Sequence, residues 1–396
     1  MTLRIPFFRH HIQVSCTVRK LSTRNGAMQN VRKASILDNE TAAEDLKDKD
    51  NSDVLFHDVG STGLITLNRP HAMNALKVPM CLRMIYTLGG WECEKKRVLI
   101  EGAGDKAFCA GGDLTLIKYA GTADFDFQRR KIFGTFYKLF YLIRTYKIPI
   151  IALMDNVTMG NGAGVSVHAK YRIVTDKSVF AMPEASLGFS PDGGCSYIFP
   201  RLQGKLGLFL GLTGYRLKGA DILRSGIASH YVPSESLPKL KQELLNSPDK
   251  CLDSIIREFE STNLSDESLF LSYMEKINDY FSDPTIEEIL DRLEADGSVW
   301  AKEIVKTLSS MSPTSLKIFH ELYRRGKNLS FSECLKMEFR VSYSLVNSKS
   351  DFYKVVMAMT SKDKIPEWFP ASLKDVKEED VLRRFEPLHP DKELQL

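Results

Sequence analysis

The sequence predicts a layered α/β core followed by a mostly helical C-terminal region. Two observations support this fold class. Short apolar strand patterns alternate with helical patterns in the first half of the chain, and from about residue 202 the strand patterns fade. Strands alternating with helices are typical of α/β layered domains. With 396 residues, 43% of them hydrophobic, the chain is long enough to bury a large core.

The predicted strands are short apolar runs bounded by polar or turn-forming residues. They fall at 63–67, 98–101, 148–154, 171–175 and 179–182, and the last two are predicted to be a strand pair split by a polar turn. Helical periodicity covers 78–88 and 131–146 in the first half, and 206–212, 219–225, 236–245, 252–260, 285–295, 299–311, 313–325 and 331–346 in the second.

The N-terminal segment differs sharply in composition from the rest of the chain. Residues 1–37 contain no Asp or Glu but hold seven Lys and Arg residues interspersed with Ser and Thr. Such a segment is typical of a mitochondrial transit peptide, and a disordered basic tail is the alternative interpretation. Residues 38–53 are polar and indicate a linker. We therefore expect an α/β core at 54–205 and a mostly helical region at 206–396.

Composition excludes several classes of protein. The formal net charge of +4 is too small and too evenly spread to indicate nucleic-acid binding, and no apolar stretch is long enough for a membrane-spanning helix. The seven cysteines include no C-x-x-C pair, and the eight histidines show no metal-ligand spacing. We expect reduced thiols and no metal site.

One short region combines a Gly-rich turn with two carboxylates. The run Met-Gly-Asn-Gly-Ala-Gly at 159–164 follows an apolar strand and leads into a helical pattern, so its backbone N–H groups can face an anionic oxygen. Glu184 and Asp192 follow eight residues apart, with Pro and Gly turns that would let a loop bring them to one cleft. Donors for an oxyanion together with carboxylates that manage a proton indicate chemistry at a carbonyl group.

Three ordered motifs give this region a wider context. Leu-Asn-Arg-Pro-His-Ala-Met-Asn-Ala-Leu at 67–76, Lys-Ala-Phe-Cys-Ala-Gly-Gly-Asp-Leu at 106–114 and the run at 159–164 resemble the signature segments of the crotonase (enoyl-CoA hydratase/isomerase) superfamily. The resemblance covers residues 54–387. It implies a crotonase-like core of repeated ββα units with a helical C-terminal region, and an acyl-CoA thioester as substrate.

Within that superfamily the chain is most similar to the hydrolases that cleave 3-hydroxyisobutyryl-CoA in valine catabolism. The similar segments are 164–168, 181–184, 190–192, 200–207, 212–219 and 362–368. Enoyl-CoA hydratases have a second catalytic Glu where this chain has Gly164, so thioester hydrolysis is favoured over hydration. The resemblance implies a mitochondrial matrix enzyme without metal, nicotinamide or flavin, in which coenzyme A is part of the substrate. It leaves a homo-oligomer open.

The resemblance also implies roles for four residues. The backbone N–H groups of Gly112 and Asn161 would hold the thioester oxygen as it gains negative charge. Glu184 would act as general base or as nucleophile, and both roles stay open. Asp192 would bind the 3-hydroxyl of the substrate, and its charge would raise the proton affinity of Glu184.

Two positions depart from the family pattern. Asn161 stands where the family usually has Gly, and Phe136 stands where many relatives have a Glu near the substrate. These departures keep open a non-catalytic subunit of a mitochondrial assembly, such as the mitochondrial ribosome. An enoyl-CoA hydratase or isomerase is the third interpretation. His168, Cys109 and the aromatic stripe 133–140 are interpreted as core residues.

Overall fold

The computed structural model describes residues 52–114, 117, 122, 124–261, 264, 268–364 and 367–396. The predicted transit peptide at 1–37 and nearly all of the predicted linker therefore lie outside the described residues. The strands are β1 Val54–Val59, β2 Thr62–Leu67, β3 Arg97–Gly102, β4 Ala107–Cys109, β5 Ile150–Leu153, β6 Val157–Met159, β7 Tyr171–Val174, β8 Val179–Ala181, β9 Leu217–Lys218 and β10 His230–Tyr231.

Most of the helices lie in the second half of the described chain, although the two longest lie in the first half. They are α1 Val78–Glu94, α2 Phe125–Thr145, α3 Asn161–Ser166, α4 Cys195–Ile198, α5 Leu206–Thr213, α6 Ala220–Arg224, α7 Leu237–Asn246, α8 Leu252–Arg257, α9 Leu269–Ser272, α10 Met274–Tyr280, α11 Ile286–Asp296, α12 Val299–Ser310, α13 Pro313–Gly326, α14 Phe331–Leu345, α15 Asp351–Ser361 and α16 Glu378–Leu382. Within the described ranges, no helix is both long and apolar enough to cross a membrane.

The first half of the fold is built from successive β-β-α units. β1–β2–α1, β3–β4–α2 and β5–β6–α3 follow one another along the chain, which confirms the repeated units that the resemblance implied. The strands form one sheet in the order β1-β2-β3-β5-β7-β10 and a second in the order β4-β6-β8-β9. From the second unit onward, the first strand of each unit joins the first sheet and the second strand joins the other.

The parallel pairing of β4 with β6 positions the loops that follow these strands. Ala107 pairs with Val157 and Cys109 pairs with Thr158, so both strands end at the same edge of the second sheet. Parallel strands bring their carboxyl ends together, and the segments after them become neighbours. The loop 110–113 and the start of α3 therefore meet in space, although about fifty residues separate them in the sequence.

The prediction that 171–175 and 179–182 form a strand pair is wrong. β7 pairs in parallel with β5, whereas β8 pairs in parallel with β6 in the other sheet. The turn between β7 and β8 is fixed by the Ser178 hydroxyl, which donates to the Met154 carbonyl at 2.6 Å and accepts the Thr175 N–H at 2.8 Å. The polar turn thus passes the chain from one sheet to the other.

The C-terminal region packs on the core mainly through α-helices. Every residue of α5 is buried, and α14 contacts α2 through Phe339 and Tyr137, whose ring centroids lie 6.2 Å apart. The two-residue strands β9 and β10 extend the sheets beyond residue 206 and were not predicted, because so short a segment leaves no readable alternation. The boundary at 205 stays a prediction, and one apolar core extends on both sides of it.

Candidate active site

Gly112 and Asn161 lie at the edge where β4 and β6 end, and both line one cavity. Leu76 N–H donates to the Gly111 carbonyl and Asp113 N–H to the Leu76 carbonyl, both at 2.8 Å, and these bonds hold Gly112 between them. Asn161 is the first residue of α3, where an N–H has no intrahelical partner. Among the described residues, neither the Gly112 nor the Asn161 N–H donates a hydrogen bond. Both are therefore available to an oxygen atom in the cavity.

Gly160 sets the entry into α3 and leaves room for a carboxylate. Its φ of 51° is a left-handed backbone conformation that glycine adopts without steric cost. A Cβ at this position would lie only 3.1 Å from Glu184 Oε1. Glycine thus allows the turn and the close approach of Glu184 to the backbone before Asn161.

The structure brings the four residues assigned from the sequence into one cavity. Gly112, Asn161, Glu184 and Asp192 line a cavity of about 150 Å³. Glu184 begins the 3-10 helix Glu184–Leu187 and is 7% exposed, while Asp192 lies in the following loop and is 5% exposed. The eight-residue spacing with Pro and Gly turns therefore forms the cleft that the sequence predicted.

The walls of the cavity are apolar. They are formed mainly by Leu114, Phe133, Phe136, Leu187, Phe189 and Phe352. The aromatic stripe on α2 is buried, as predicted, but two of its members also line the cavity. An apolar wall excludes water and strengthens every electrostatic interaction inside the cavity.

Burial dominates the protonation of both acidic residues. It raises the pKa of Glu184 to about 8, with a further contribution from the negative charge of Glu338. Glu184 Oε2 is buried and has no hydrogen-bond partner among the described residues, so nothing stabilises the ionised form at that atom. The sequence prediction gave the direction of this shift but assigned it to Asp192, whereas burial is the largest cause.

Asp192 is buried like Glu184 and forms a hydrogen bond with Tyr137. Burial raises its pKa well above the ordinary value, and the charges of Glu184 and Glu338 add to the increase. The Tyr137 hydroxyl donates to Asp192 Oδ2 at 3.2 Å and holds the carboxyl group in place. Asp192 Oδ1 is left for a ligand.

Gly164 lies against an aromatic ring and has no room for a side chain. A Cβ at this position would be 2.5 Å from the ring of Phe140, and Phe140 is fully buried. The backbone of Gly193 closes the other side, since a Cβ on Gly193 would lie 3.2 Å from the Gly164 Cα. The space that a second catalytic Glu would occupy is therefore filled by Phe140.

His168 and Cys109 are core residues, as predicted. The His168 ring lies 2.7 Å from the Gly193 carbonyl through Nε2, and burial lowers its pKa to about 3. Burial raises the pKa of the Cys109 thiol to about 12. Near neutral pH Cys109 therefore stays an un-ionised thiol and a poor nucleophile, and His168, with so low a pKa, is too weak a base to take up a proton.

The structure adds two polar residues that sequence reasoning missed. Tyr137 and Glu338 are both buried and both act on the acidic pair. Tyr137 is one of several aromatic residues in α2, and nothing in the sequence distinguishes it from the others as a functional residue. Glu338 does carry one, because it falls in the apolar stripe of α14 between Cys334 and Ser342, where a charged residue is unusual.

A buried acidic pair beside two free backbone donors is characteristic of enzymes that stabilise an oxyanion at a carbonyl carbon. The model of the enoyl-CoA hydratase/isomerase family matches residues 62–385, and this chain belongs to that family. It is 43% identical over 349 residues to a Homo sapiens protein named 3-hydroxyisobutyryl-CoA hydrolase, mitochondrial, covering 85% of this chain and 89% of the relative. The Gallus gallus protein of the same name is 42% identical over 346 residues, with the same coverage.

A solved structure agrees with the fold. A carnitinyl-CoA dehydratase from Mycobacterium thermoresistibile superposes with a TM-score of 0.80 at 34% identity, covering 86% of this chain and 98% of that one. The crotonase-like fold class predicted from the sequence is confirmed. The two relatives are named for a hydrolase and the solved structure for a dehydratase, so the residues in the cavity decide which chemistry the site supports.

Proposed function

We propose that this protein hydrolyses the thioester of 3-hydroxyisobutyryl-CoA to 3-hydroxyisobutyrate and coenzyme A, a step of valine catabolism. The observation that carries the proposal is the placement of Glu184 and Asp192 in one small cavity with two free backbone N–H groups. The two relatives described above are named for the same hydrolase activity. The cavity supplies a separate group for each part of the reaction.

The thioester oxygen binds to the N–H groups of Gly112 and Asn161. These donors polarise the carbonyl and stabilise the negative charge that develops on its oxygen when the carbon is attacked. One such donor is typically worth about 3–4 kcal/mol of activation barrier. Because the groups belong to the backbone, their direction is set by the fold before substrate binds.

Glu184 takes part in the attack on the carbonyl carbon, either by activating water or by attacking directly. As a general base it removes a proton from a water molecule that attacks the carbon; as a nucleophile it forms an anhydride that water then hydrolyses. In both routes the C–S bond breaks, the sulfur of coenzyme A leaves with the bonding electron pair and is protonated, and water supplies the second carboxylate oxygen. A pKa near 8 makes ionised Glu184 a strong base for a carboxylate.

Asp192 recognises the 3-hydroxyl of the acyl group through Oδ1, because Tyr137 occupies Oδ2. The cavity volume fits a small acyl group. An engineered cavity of about 150 Å³ in another protein holds benzene, which has as many non-hydrogen atoms as the 3-hydroxyisobutyryl group. Phe136 and Phe352 complete the apolar wall around the carbon chain.

The other two interpretations have weaker support. A hydratase needs a second acid at position 164, and Phe140 fills that space. A non-catalytic subunit would have no need for two buried carboxylates, which cost stability unless they are used. Hydrolysis uses water and a polarised carbonyl, so the proposal includes no metal or redox cofactor.

We also propose the mitochondrial matrix as the compartment. The relatives carry the word mitochondrial in their names, and the acid-free, basic residues 1–37 support import. Valine catabolism would place the substrate in the same compartment.

The decisive experiment measures thiol release from 3-hydroxyisobutyryl-CoA by the purified protein. Wild type and Glu303→Gln, a variant at an exposed position of α12, should release coenzyme A at equal rates, and Glu184→Gln should release almost none. A parallel assay follows the absorbance of an enoyl-CoA double bond and should show no change. Thiol release that is the same in wild type and Glu184→Gln refutes the proposal, and loss of the double bond would favour the hydratase interpretation.

A further inference from the structure

Helix α14 of the C-terminal region carries a buried carboxylate that faces the Asp192 loop. Glu338 is 1% exposed, and its two oxygens accept the backbone N–H groups of Gly194 and Ser196 at 2.7 Å each. These N–H groups belong to the first turn of α4, which begins directly after residues 192–194. Glu338 thus connects α14 to the backbone that follows Asp192.

A second connection runs from α14 to the carboxyl group of Asp192. Ser342 lies one helical turn after Glu338, so the two side chains project from the same face of α14. Ser342 Oγ is 3.0 Å from the Tyr137 hydroxyl, which donates to Asp192 Oδ2 at 3.2 Å. One helix therefore holds both the loop after Asp192 and the group that orients its carboxyl.

The loop after Asp192 contains two glycines in a backbone conformation that other residues rarely adopt. Gly193 and Gly194 follow Asp192 with φ values of 67° and 87°, a conformation that glycine reaches easily and also leaves easily. The position of Asp192 depends on contacts from outside the loop for this reason. The backbone here has three such contacts of 2.7 Å: the Gly194 and Ser196 N–H groups to Glu338, and the Gly193 carbonyl to His168 Nε2.

Glu338 occupies this position at a cost to stability. Burial raises its pKa to about 7, and in the described part of the chain no Lys, Arg or His side chain forms an ion pair with it. A buried carboxylate without a cation is commonly less stabilising than an apolar residue of similar size. The cost points to a role beyond packing.

We infer that Glu338 is a positioning residue of the active site, which fixes Asp192 against the 3-hydroxyl of the substrate and places a negative charge behind the Glu184–Asp192 pair. The inference rests on the proposed function, because it assigns Asp192 to the 3-hydroxyl. Glu338 does not line the cavity and acts through the loop and through its charge.

Burial raises the pKa of all three carboxyl groups, those of Glu338, Glu184 and Asp192. The other titratable groups that face it or the loop it holds are Tyr137, His168, Cys195 and Cys334. Burial raises the pKa of the tyrosine and of both thiols and lowers that of the histidine, so all four are neutral near pH 7. Ionised Glu338 therefore makes ionisation of Glu184 and Asp192 harder.

Glu338→Gln tests this inference, because it keeps the size of the side chain and removes its charge. We expect the acid limb of the kcat/KM profile to move to lower pH by on the order of half a unit. We also expect the ratio of kcat/KM for 3-hydroxyisobutyryl-CoA over isobutyryl-CoA, which lacks the hydroxyl, to fall about tenfold. Asp192→Asn should lower the same ratio.

Two further variants separate charge, geometry and general destabilisation. Glu338→Asp keeps the charge but is too short to reach both N–H groups, so the ratio should fall while the acid limb stays in place. Glu333→Ala breaks the capping box at the start of α14 and should lower stability without changing either readout. If Glu338→Gln does not fold, Glu338→Asp decides, since an unchanged ratio in that variant contradicts the positioning role.

The outcomes distinguish this inference from the proposed function. In one outcome, wild type releases coenzyme A, and Glu338→Gln has the same acid limb of kcat/KM and the same preference for 3-hydroxyisobutyryl-CoA over isobutyryl-CoA. In that case the inference is wrong and the proposed function stands. If wild type releases none, the proposed function fails. The inference is then tested by following the Glu184 carboxyl in ¹³C-glutamate-labelled protein, where an unchanged titration in Glu338→Gln overturns it.

Discussion

The side-chain amide of Asn161 lies over Gly112: a Cβ placed on Gly112 would come within 2.9 Å of Asn161 Nδ2. The same point is 3.8 Å from the ring of Phe136. Asn161 and Phe136, which the sequence analysis singled out as departures from the family pattern, therefore meet at one wall of the cavity, beside the proposed oxyanion donors. Both side chains narrow the space beside Gly112.

Asn161→Gly should leave the rate of thioester hydrolysis unchanged or raise it modestly. The proposed donor at this position is the backbone N–H, which Gly retains, and the substitution removes only the amide that crowds Gly112. The measurement is kcat/KM on 3-hydroxyisobutyryl-CoA for both proteins, with Glu184→Gln as the blank. A fall of about 100-fold, or about 2.7 kcal/mol of barrier, would show that the side-chain amide itself binds the substrate.

The rate of hydrolysis should rise with pH and level off above about pH 8. Glu184 must be ionised to act as base or nucleophile, and burial raises its pKa to about 8. The profile of kcat/KM against pH for the free enzyme reports this ionisation. An acid limb near pH 4.5, the ordinary value for a glutamate, would mean that Glu184 is exposed to water in solution or that another group limits the rate.

The placement of Gly112, Asn161, Glu184 and Asp192 in one cavity could be predicted because their signals are local. Glu184 and Asp192 lie eight residues apart among turn-forming residues, and Gly112 and Asn161 stand in motifs with a recognisable order. The β-β-α repetition was implied by the same motifs. Chemistry that is concentrated in short segments leaves a pattern that the sequence alone reveals.

Features that depend on distant packing could not be predicted. Glu338 is 144 residues from Gly194, the residue whose N–H it accepts, and no local pattern links the two. The division of β7 and β8 between two sheets was missed because a short polar turn usually joins neighbouring strands. The contact of Phe140 with Gly164 likewise exists only once α2 and α3 have packed.

Removal of residues 1–37 should leave hydrolysis unchanged in vitro and prevent import into mitochondria. The deletion takes away the acid-free, Arg-bearing segment and ends before the residues of the cavity. Thiol release measures the first outcome, and fractionation of cells that express the full-length and truncated chains measures the second. Import of the truncated chain at the level of the full-length chain would contradict the assignment.

The folded state should lose stability as pH rises from about 5 to about 9, and Glu184→Gln should reduce this loss. The pKa of Glu184 rises from an ordinary value of 4.5 in the unfolded chain to about 8 in the folded one. The stability that protonated Glu184 contributes is therefore complete below pH 4.5 and disappears as the pH passes through about 8. Glu184→Gln lacks the ionisable group. Its free energy of unfolding at pH 9 should therefore exceed that of wild type by on the order of a few kcal/mol.

Urea unfolding of substrate-free protein at pH 5 and at pH 9 measures this difference. Glu303→Gln serves as the matched control. It removes an exposed carboxyl group, so the stability of this variant should depend on pH as that of wild type does. Glu338→Gln should act in the same direction as Glu184→Gln but less strongly, since the pKa of Glu338 rises only to about 7. Equal pH dependence in wild type and Glu184→Gln would mean that the carboxyl group of Glu184 is not buried in solution. Ionisation of Glu184 should therefore destabilise the substrate-free protein above neutral pH, because the apolar cavity that makes this carboxylate a strong base also disfavours its charge.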